Sequence, residues 1–458
     1  MSRKRLYSPQ KNTDEQESTG EMAVQKAIPF RVPYSLHTID NGLRVVLSED
    51  HSVPVVAVVV LYDVGARNEP PGRTGFAHLF EHMMFQGSVN VRKGEFYTYV
   101  EDNGGVLNGM TSSDFTIYFE VMPSNQLELA LWLEADRMRS LQVNQENLDN
   151  QREVVKEEKR LRVDNQPFSY ARGILLYELA YDNFANAHSV IGSMEDLDAA
   201  TLEDVQRFFR TYYAPNNAVL AIAGDFEENQ ALEWVRKHFG DIPPQEPPQP
   251  VDVSEPERGQ EKRATYTDRL ANLPAIATAW KVPPRHSPER YALALLDRIL
   301  FGGESARLHQ RLVKRQKSAL AVSGGLEDRR GPGLFTTFVV FKPDRDFEHV
   351  ERSIYAELEQ IQQKDVQPRE LQRAKNQLRA ERFRGVWGGM YGLQTPLGRA
   401  MELAYHTLFD GDPALINTDL QRYLDVTAED VQQVAQRFLV PTNRTVLYIL
   451  PGATGAEQ

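Results

Sequence analysis

Residues 201–225, TLEDVQRFFRTYYAPNNAVLAIAGD, reappear in altered form at residues 427–452, TAEDVQQVAQRFLVPTNRTVLYILPG. With no gap introduced, Asp204 matches Asp430, Pro215 matches Pro441 and Asn217 matches Asn443, all 226 positions apart. Each copy reads as a Thr N-cap, an amphipathic helix, a turn between Pro and Asn, and an apolar strand. Asn150-Gln151 and Asn376-Gln377 keep the same offset. The chain is therefore read as an internal duplication, one α+β unit used twice.

Between the copies lies PPQEPPQPVDVSEP, residues 243–256. So much proline can enter neither a helix interior nor a central strand. A chain of 458 residues also exceeds what one hydrophobic core serves. The expected organisation is a polar tail over 1–30, a first domain over 31–242, a proline-rich linker over 243–262 and a homologous second domain over 263–458. In the first half, strands are expected at 43–47, 53–64, 116–121 and 218–223, with helices at 76–85, 126–139 and 147–162. Few of these strands are joined by a regular helical crossover, so each domain is expected to be a two-layer α+β unit, an antiparallel-rich sheet against helices.

Composition excludes several classes. A 41% apolar and 25% charged chain is that of an ordinary globular protein. The net charge of −12 and the lack of a long basic stripe argue against nucleic acid as a partner. No apolar run approaches the roughly 20 residues that span a bilayer; the longest, 53–62, is strand-sized. With no cysteine, disulfides, thiolate ligands and a Cys nucleophile are excluded. The first 30 residues carry no intact secretory signal, leaving the cytoplasm and a periplasm as the expected compartments.

The chemistry is concentrated in residues 75–87, GFAHLFEHMMFQG. His78, Glu81 and His82 are spaced HxxEH, and positions i, i+3 and i+4 share one helical face. Two imidazoles and a carboxylate on one face suit a catalytic zinc, which takes nitrogen ligands at about 2.0–2.1 Å and keeps a base beside it. Leu79, Phe80, Met83, Met84 and Phe85 make the same helix largely buried, where unpartnered polar groups are costly. A third protein ligand is required. Residues 147–162, NLDNQREVVKEEKRLR, offer Glu153, Glu157 and Glu158, and spacing alone does not choose among them.

HLFEHMMFQGS, followed 76 residues after His82 by a glutamate within NQREVVKEEKR, resembles the pitrilysin/insulinase family of zinc peptidases, the inverzincins. The zinc-carrying subunit of the bacterial, mitochondrial processing peptidase-like branch is the nearest pattern. The resemblance implies Glu158 as third ligand, Glu81 as general base and one Zn2+ per chain. VGARNEPPGRTG (64–75) leads into the motif as in the family, and residues 101–123, EDNGGVLNGMTSSDFTIYFEVMP, resemble its substrate-binding edge strand. That match implies Leu107, Asn108 and Gly109 as backbone partners of an extended peptide.

Two departures carry consequences. Gln151 stands where many members have a second glutamate, and an amide cannot serve as a base. In LVKRQKSALAVSG (312–324), Lys314 and Ala321 occupy the positions of the family's substrate-holding Arg and Tyr; Arg315 would pair with Val322, which has no hydroxyl. At the 226 offset, His78, Glu81, His82 and Glu158 become Glu304, Arg307, Leu308 and Arg384, so the second half is not expected to bind zinc. The family's clamshell of four homologous domains implies a dimer of this two-domain chain. A heterodimer with a homologous subunit supplying the Arg/Tyr pair is expected, with a homodimer as alternative. The competing readings are a non-catalytic scaffold subunit of the same family and a zinc hydrolase of non-peptide substrates.

Overall fold

The computed structural model describes residues 30–364, 366–385 and 391–452. The tail read over residues 1–30 lies, apart from Phe30, outside the described residues.

The first half forms one sheet from β1 (Ser35–Thr38), β2 (Arg44–Glu49), β3 (Val55–Tyr62), β4 (Val106–Thr111), β5 (Thr116–Pro123) and β6 (Ala218–Gly224). The second half forms another from β7 (Lys262–Asp268), β8 (Ala275–Val282), β9 (Ala319–Leu326), β10 (Gly333–Phe341) and β11 (Arg444–Pro451). The orders are β1-β2-β6-β3-β5-β4 and β7-β11-β8-β10-β9. Without β1 the two are the same arrangement. In each, one pair is parallel, β2 with β6 and β7 with β11, and the remaining pairs are antiparallel.

The duplicated segment is what builds this shared core. Thr201 and Thr427 both cap their helices in a reciprocal box with Asp204 and Asp430. The turns Pro215–Asn217 and Pro441–Asn443 follow, and the matched asparagines do the same work in each. Asn217 Nδ2 donates to Tyr212 O (2.8 Å) and Asp63 O (3.3 Å); Asn443 Nδ2 donates to Phe438 O (2.8 Å) and Lys281 O (2.7 Å). Each ties the end of the helix to the strand beside which β6 or β11 then runs. Both strands are apolar runs because they lie centrally in their sheets.

The period of two along β3 divides the first sheet's faces. Val56, Val58, Val60 and Tyr62 join the core that holds the HxxEH helix, Phe76–Met83. Ala57, Val59 and Leu61 pack on the opposite face against Leu397, Ala400, Leu403 and Ala404 of the helix Pro396–Tyr405, which belongs to the second half. The exchange is reciprocal: Ala171, Leu176, Ala180 and Tyr181 of the first half cover Ala277, Ala279, Leu334 and Leu447 of the second sheet. Residues 243–256 contain neither helix nor strand.

The expected strands appear at Arg44–Glu49, Val55–Tyr62, Thr116–Pro123 and Ala218–Gly224, and the expected helices at Phe76–Met83, Leu127–Ser140 and Gln145–Lys159. The last runs on into a wider helical turn, Arg160–Asp164. No helix among the described residues is long and apolar enough to cross a membrane. Asn443→Ala leaves two carbonyls without their donor and is expected to cost about 1–3 kcal/mol, read as a lower denaturation midpoint. Asn217→Ala should do the same.

Candidate metal centre

The helix Phe76–Met83 lies on the first sheet with Leu79, Phe80 and Met83 buried beneath it. Its opposite face presents His78 and His82, whose rings meet edge to face at 4.9 Å. The second helix, Gln145–Lys159, brings Glu158 against them: its Oε2 is 3.5 Å from His78 Nε2 and 3.2 Å from His82 Nε2. The other carboxylate oxygen, Oε1, accepts from Arg162 Nη1 at 2.8 Å, so the side chain is aimed by a cation one turn further on.

Among the three glutamates left open by spacing, only Glu158 reaches the histidines. Its side chain is 15% exposed, against 64% for Glu153 and 56% for Glu157, which pair outward with Lys156 and Arg160. His78, His82 and Glu158 are the one cluster of three such groups among the described residues able to share an ion.

The donor set fits zinc. Two neutral nitrogens and a carboxylate are the ligand types zinc takes, and tetrahedral ligands at about 2.1 Å from one ion stand roughly 3.4 Å apart. The observed 3.2 and 3.5 Å bracket that spacing. Burial first, and then the neighbouring His82 ring, lower the His78 pKa to about 4, so this imidazole is neutral near pH 7, as a ligand must be. The Glu158 carboxyl is held below its ordinary range by its hydrogen bond to His82, which outweighs its burial.

Glu81 stands beside the cluster without belonging to it. Thr111 Oγ1 donates to Glu81 Oε2 at 2.6 Å. Burial raises the Glu81 pKa, and the Thr111 hydrogen bond opposes that shift. Room for the side chain comes from Gly109, where a Cβ would lie 3.0 Å from Glu81 Cγ.

Leu107, Asn108 and Gly109 all lie on β4, the end strand of the first sheet, paired with β5 on one side. The Gly109 N–H points away from that pairing and donates to Asn108 Oδ1 at 2.9 Å. This covers an edge group that an added strand could take instead.

Gln151 is buried and donates to Asn150 Oδ1 at 2.7 Å. Lys314 pairs with Glu304 at 3.0 Å, and Ala321 is exposed on β9, the end strand of the second sheet. The second-half counterparts of the cluster carry no metal-binding set: Glu304 faces Lys314, Arg307 pairs with Glu370, Leu308 is buried and Arg384 is exposed. Thr111 and Arg162, which hold Glu81 and Glu158, were not singled out in the sequence. Their only signal there is position, within the edge-strand segment 101–123 and four residues beyond Glu158.

Comparison with known proteins agrees with this architecture. Residues 44–192 match the model of the insulinase family, peptidase family M16, and residues 199–378 match the model described as the peptidase M16 inactive domain. The zinc protease PqqE of Helicobacter pylori is 30% identical over 421 residues, covering 90% of this chain and 92% of that protein. The crystal structure of a protease from Helicobacter pylori superposes with a TM-score of 0.85 at 28% identity, over 92% of this chain and all of that one. The periplasmic protease PqqL of Escherichia coli, at 16% identity and a TM-score of 0.72, matches 92% of this chain with 48% of its own length. The fold is thus that of one half of an M16 clamshell, and this chain belongs to the insulinase family, peptidase family M16.

Glu158→Gln is expected to weaken Zn2+ binding at least ~10-fold in competition with a chromophoric chelator, within the range seen when a metal site loses a supporting group. Glu157→Gln should leave it unchanged.

Proposed function

We propose that this chain is a zinc metalloendopeptidase that cleaves extended or unfolded peptides in an enclosed chamber. The observation that carries this reading is the meeting of His78 Nε2, His82 Nε2 and Glu158 Oε2, with a non-ligand carboxylate, Glu81, held beside them next to a sheet edge. The names of the relatives, zinc protease among them, support it.

His78, His82 and Glu158 would hold the ion, and zinc bound there supplies Lewis acidity toward a carbonyl oxygen. Glu81 takes a proton from the attacking water at its carboxylate and passes it to the leaving amine. Its burial raises its pKa, which moves the base toward operating pH. The Thr111 hydroxyl fixes the carboxylate in place. The peptide adds as a strand along Leu107, Asn108 and Gly109, displacing Asn108 Oδ1 from the Gly109 N–H. Strand addition reads backbone, so it suits an extended peptide better than a non-peptide substrate. Glu81→Gln is expected to retain Zn2+ and to lower turnover of an unstructured peptide at least ~10²-fold. Undiminished cleavage would refute the assignment.

Because Lys314 and Ala321 stand at the Arg and Tyr positions, we propose that the active form is a heterodimer whose homologous subunit supplies that pair. A homodimer is the alternative. PqqL, in which a fold like this one accounts for 48% of the chain, supports two halves making one enclosure. Peptidase activity should rise when the chain is purified with a co-encoded homologue; full activity alone would eliminate the heterodimer. The second reading, a non-catalytic scaffold subunit, is favoured by the inactive-domain match, but that match begins at residue 199, beyond the cluster. Absence of both zinc and cleavage in the purified complex would favour it.

A further inference from the structure

The helix carrying His78, Glu81 and His82 begins in an unusual way. Its N-cap is Gly75, with φ of +88°, and a Cβ there would lie 2.9 Å from Ile191 O. Only glycine suits such a backbone, yet glycine brings no side chain to take the helix's first N–H groups. Glu69 takes them instead. Its Oε2 accepts from Gly75 N and its Oε1 from Ala77 N, both at 2.8 Å, and the residue is buried. The second of these contacts lies one residue before His78.

On its far side Glu69 meets His188. His188 Nε2 is 3.1 Å from Glu69 Oε2 and 2.7 Å from Ala66 O, while Nδ1 is 2.7 Å from Phe184 O. A carbonyl oxygen only accepts, so the ring makes both carbonyl contacts as a donor when both nitrogens carry protons; burial works against that form, but the hydrogen bond to Glu69 raises the His188 pKa overall. Phe184 stacks on it at 4.4 Å, nearly parallel. Histidine and glutamate thus form a buried hydrogen-bonded pair, with side chains 7% and 0% exposed. The segment bearing His188 is in turn tied to the rest of the chain: Asn186 Nδ2 donates to Val253 O and Glu255 Oε1, and Arg329 Nη1 of the second half donates to Asn186 O at 2.8 Å.

We propose that Glu69 and His188 are a positioning pair, setting the height and direction of the HxxEH helix so that its histidines meet Glu158. Neither residue belongs to the metal cluster. They act through the helix backbone, and Arg329 and Glu255 anchor the pair to the second half and the linker. Through these bonds a half that lacks the metal-binding set would bear on the site. The inference rests on the zinc-peptidase reading above.

The test uses the full chain, in complex with its homologue if that is the active form. It compares Glu69→Gln and His188→Gln with wild type by Zn2+ affinity, by the visible absorption spectrum after Co2+ substitution, and by kcat and KM separately. Asn443→Ala, destabilised far from the site, measures the effect of lowered stability alone. The expected result is Zn2+ affinity about 10- to 100-fold weaker, the scale of a lost supporting group at a metal site. An altered Co2+ spectrum and a fall in kcat with little change in KM should accompany it, and none of these in Asn443→Ala. A lower melting temperature with wild-type Zn2+ affinity and Co2+ spectrum would overturn the positioning role and leave a structural one. If Glu69→Gln fails to fold, His188→Gln, which retains a donor without the charge, decides by the same criteria. Wild-type protein that binds no Zn2+ would refute the underlying reading and this one with it, whereas normal wild-type binding with unaffected variants refutes the positioning pair alone.

Discussion

Everything at this centre depends on one constraint: two imidazoles and a carboxylate from separate helices must be held with their ligand atoms 3.2 and 3.5 Å apart. Unsupported, such a group is costly, since buried polar atoms need partners. The fold meets the cost by packing both helices into one core. Leu79, Phe80 and Met83 seat one helix on the sheet, Leu148 and Val155 bury the other in the same core, and Arg162 fixes the remaining oxygen of Glu158.

The repeat places one arrangement of helices and strands beside two different sets of polar side chains. Both halves share a sheet order, a capped helix, an asparagine latch and a central apolar strand. They differ at the His78, His82 and Glu158 cluster: the second half places an Arg307–Glu370 pair and a buried Leu308 at the equivalent positions. The copy is still not independent. Each half covers the other's outer sheet face, so the apolar surface of either sheet is satisfied only when both are present.

Buried charge follows a consistent rule. Arg137 lies between Glu120 and Glu134 and against the rings of Phe96 and Tyr118, and Arg67 bonds Asp63 and Asp114. In each case one partner is local, Glu134 or Asp63, and the other comes from elsewhere in the chain, Glu120 on β5 or Asp114 between β4 and β5. Such pairs contribute little net stability, but breaking one leaves an uncompensated buried charge.

The amino-acid sequence by itself carried the repeat, the α+β class and the HxxEH spacing that sets His78, Glu81 and His82 on one helical face, because helical spacing, capping chemistry and apolar periodicity act over a few residues. It left Glu153, Glu157 and Glu158 equivalent, since neighbours on one helix differ only in what lies opposite them, and only family spacing pointed to Glu158. Thr111 was invisible for the same reason: its hydroxyl matters because β4 passes beside Glu81. Glu69 stood in a segment noted only for leading into the motif, and His188 in a loop that was not noted, until the chain brought them together over 119 residues. The reciprocal covering of the sheets was equally hidden, as the proline-rich stretch marks a break in the chain but not in the packing. Tertiary structure decided these because side-chain partnership depends on which surfaces fold against each other, and sequence spacing carries no record of that.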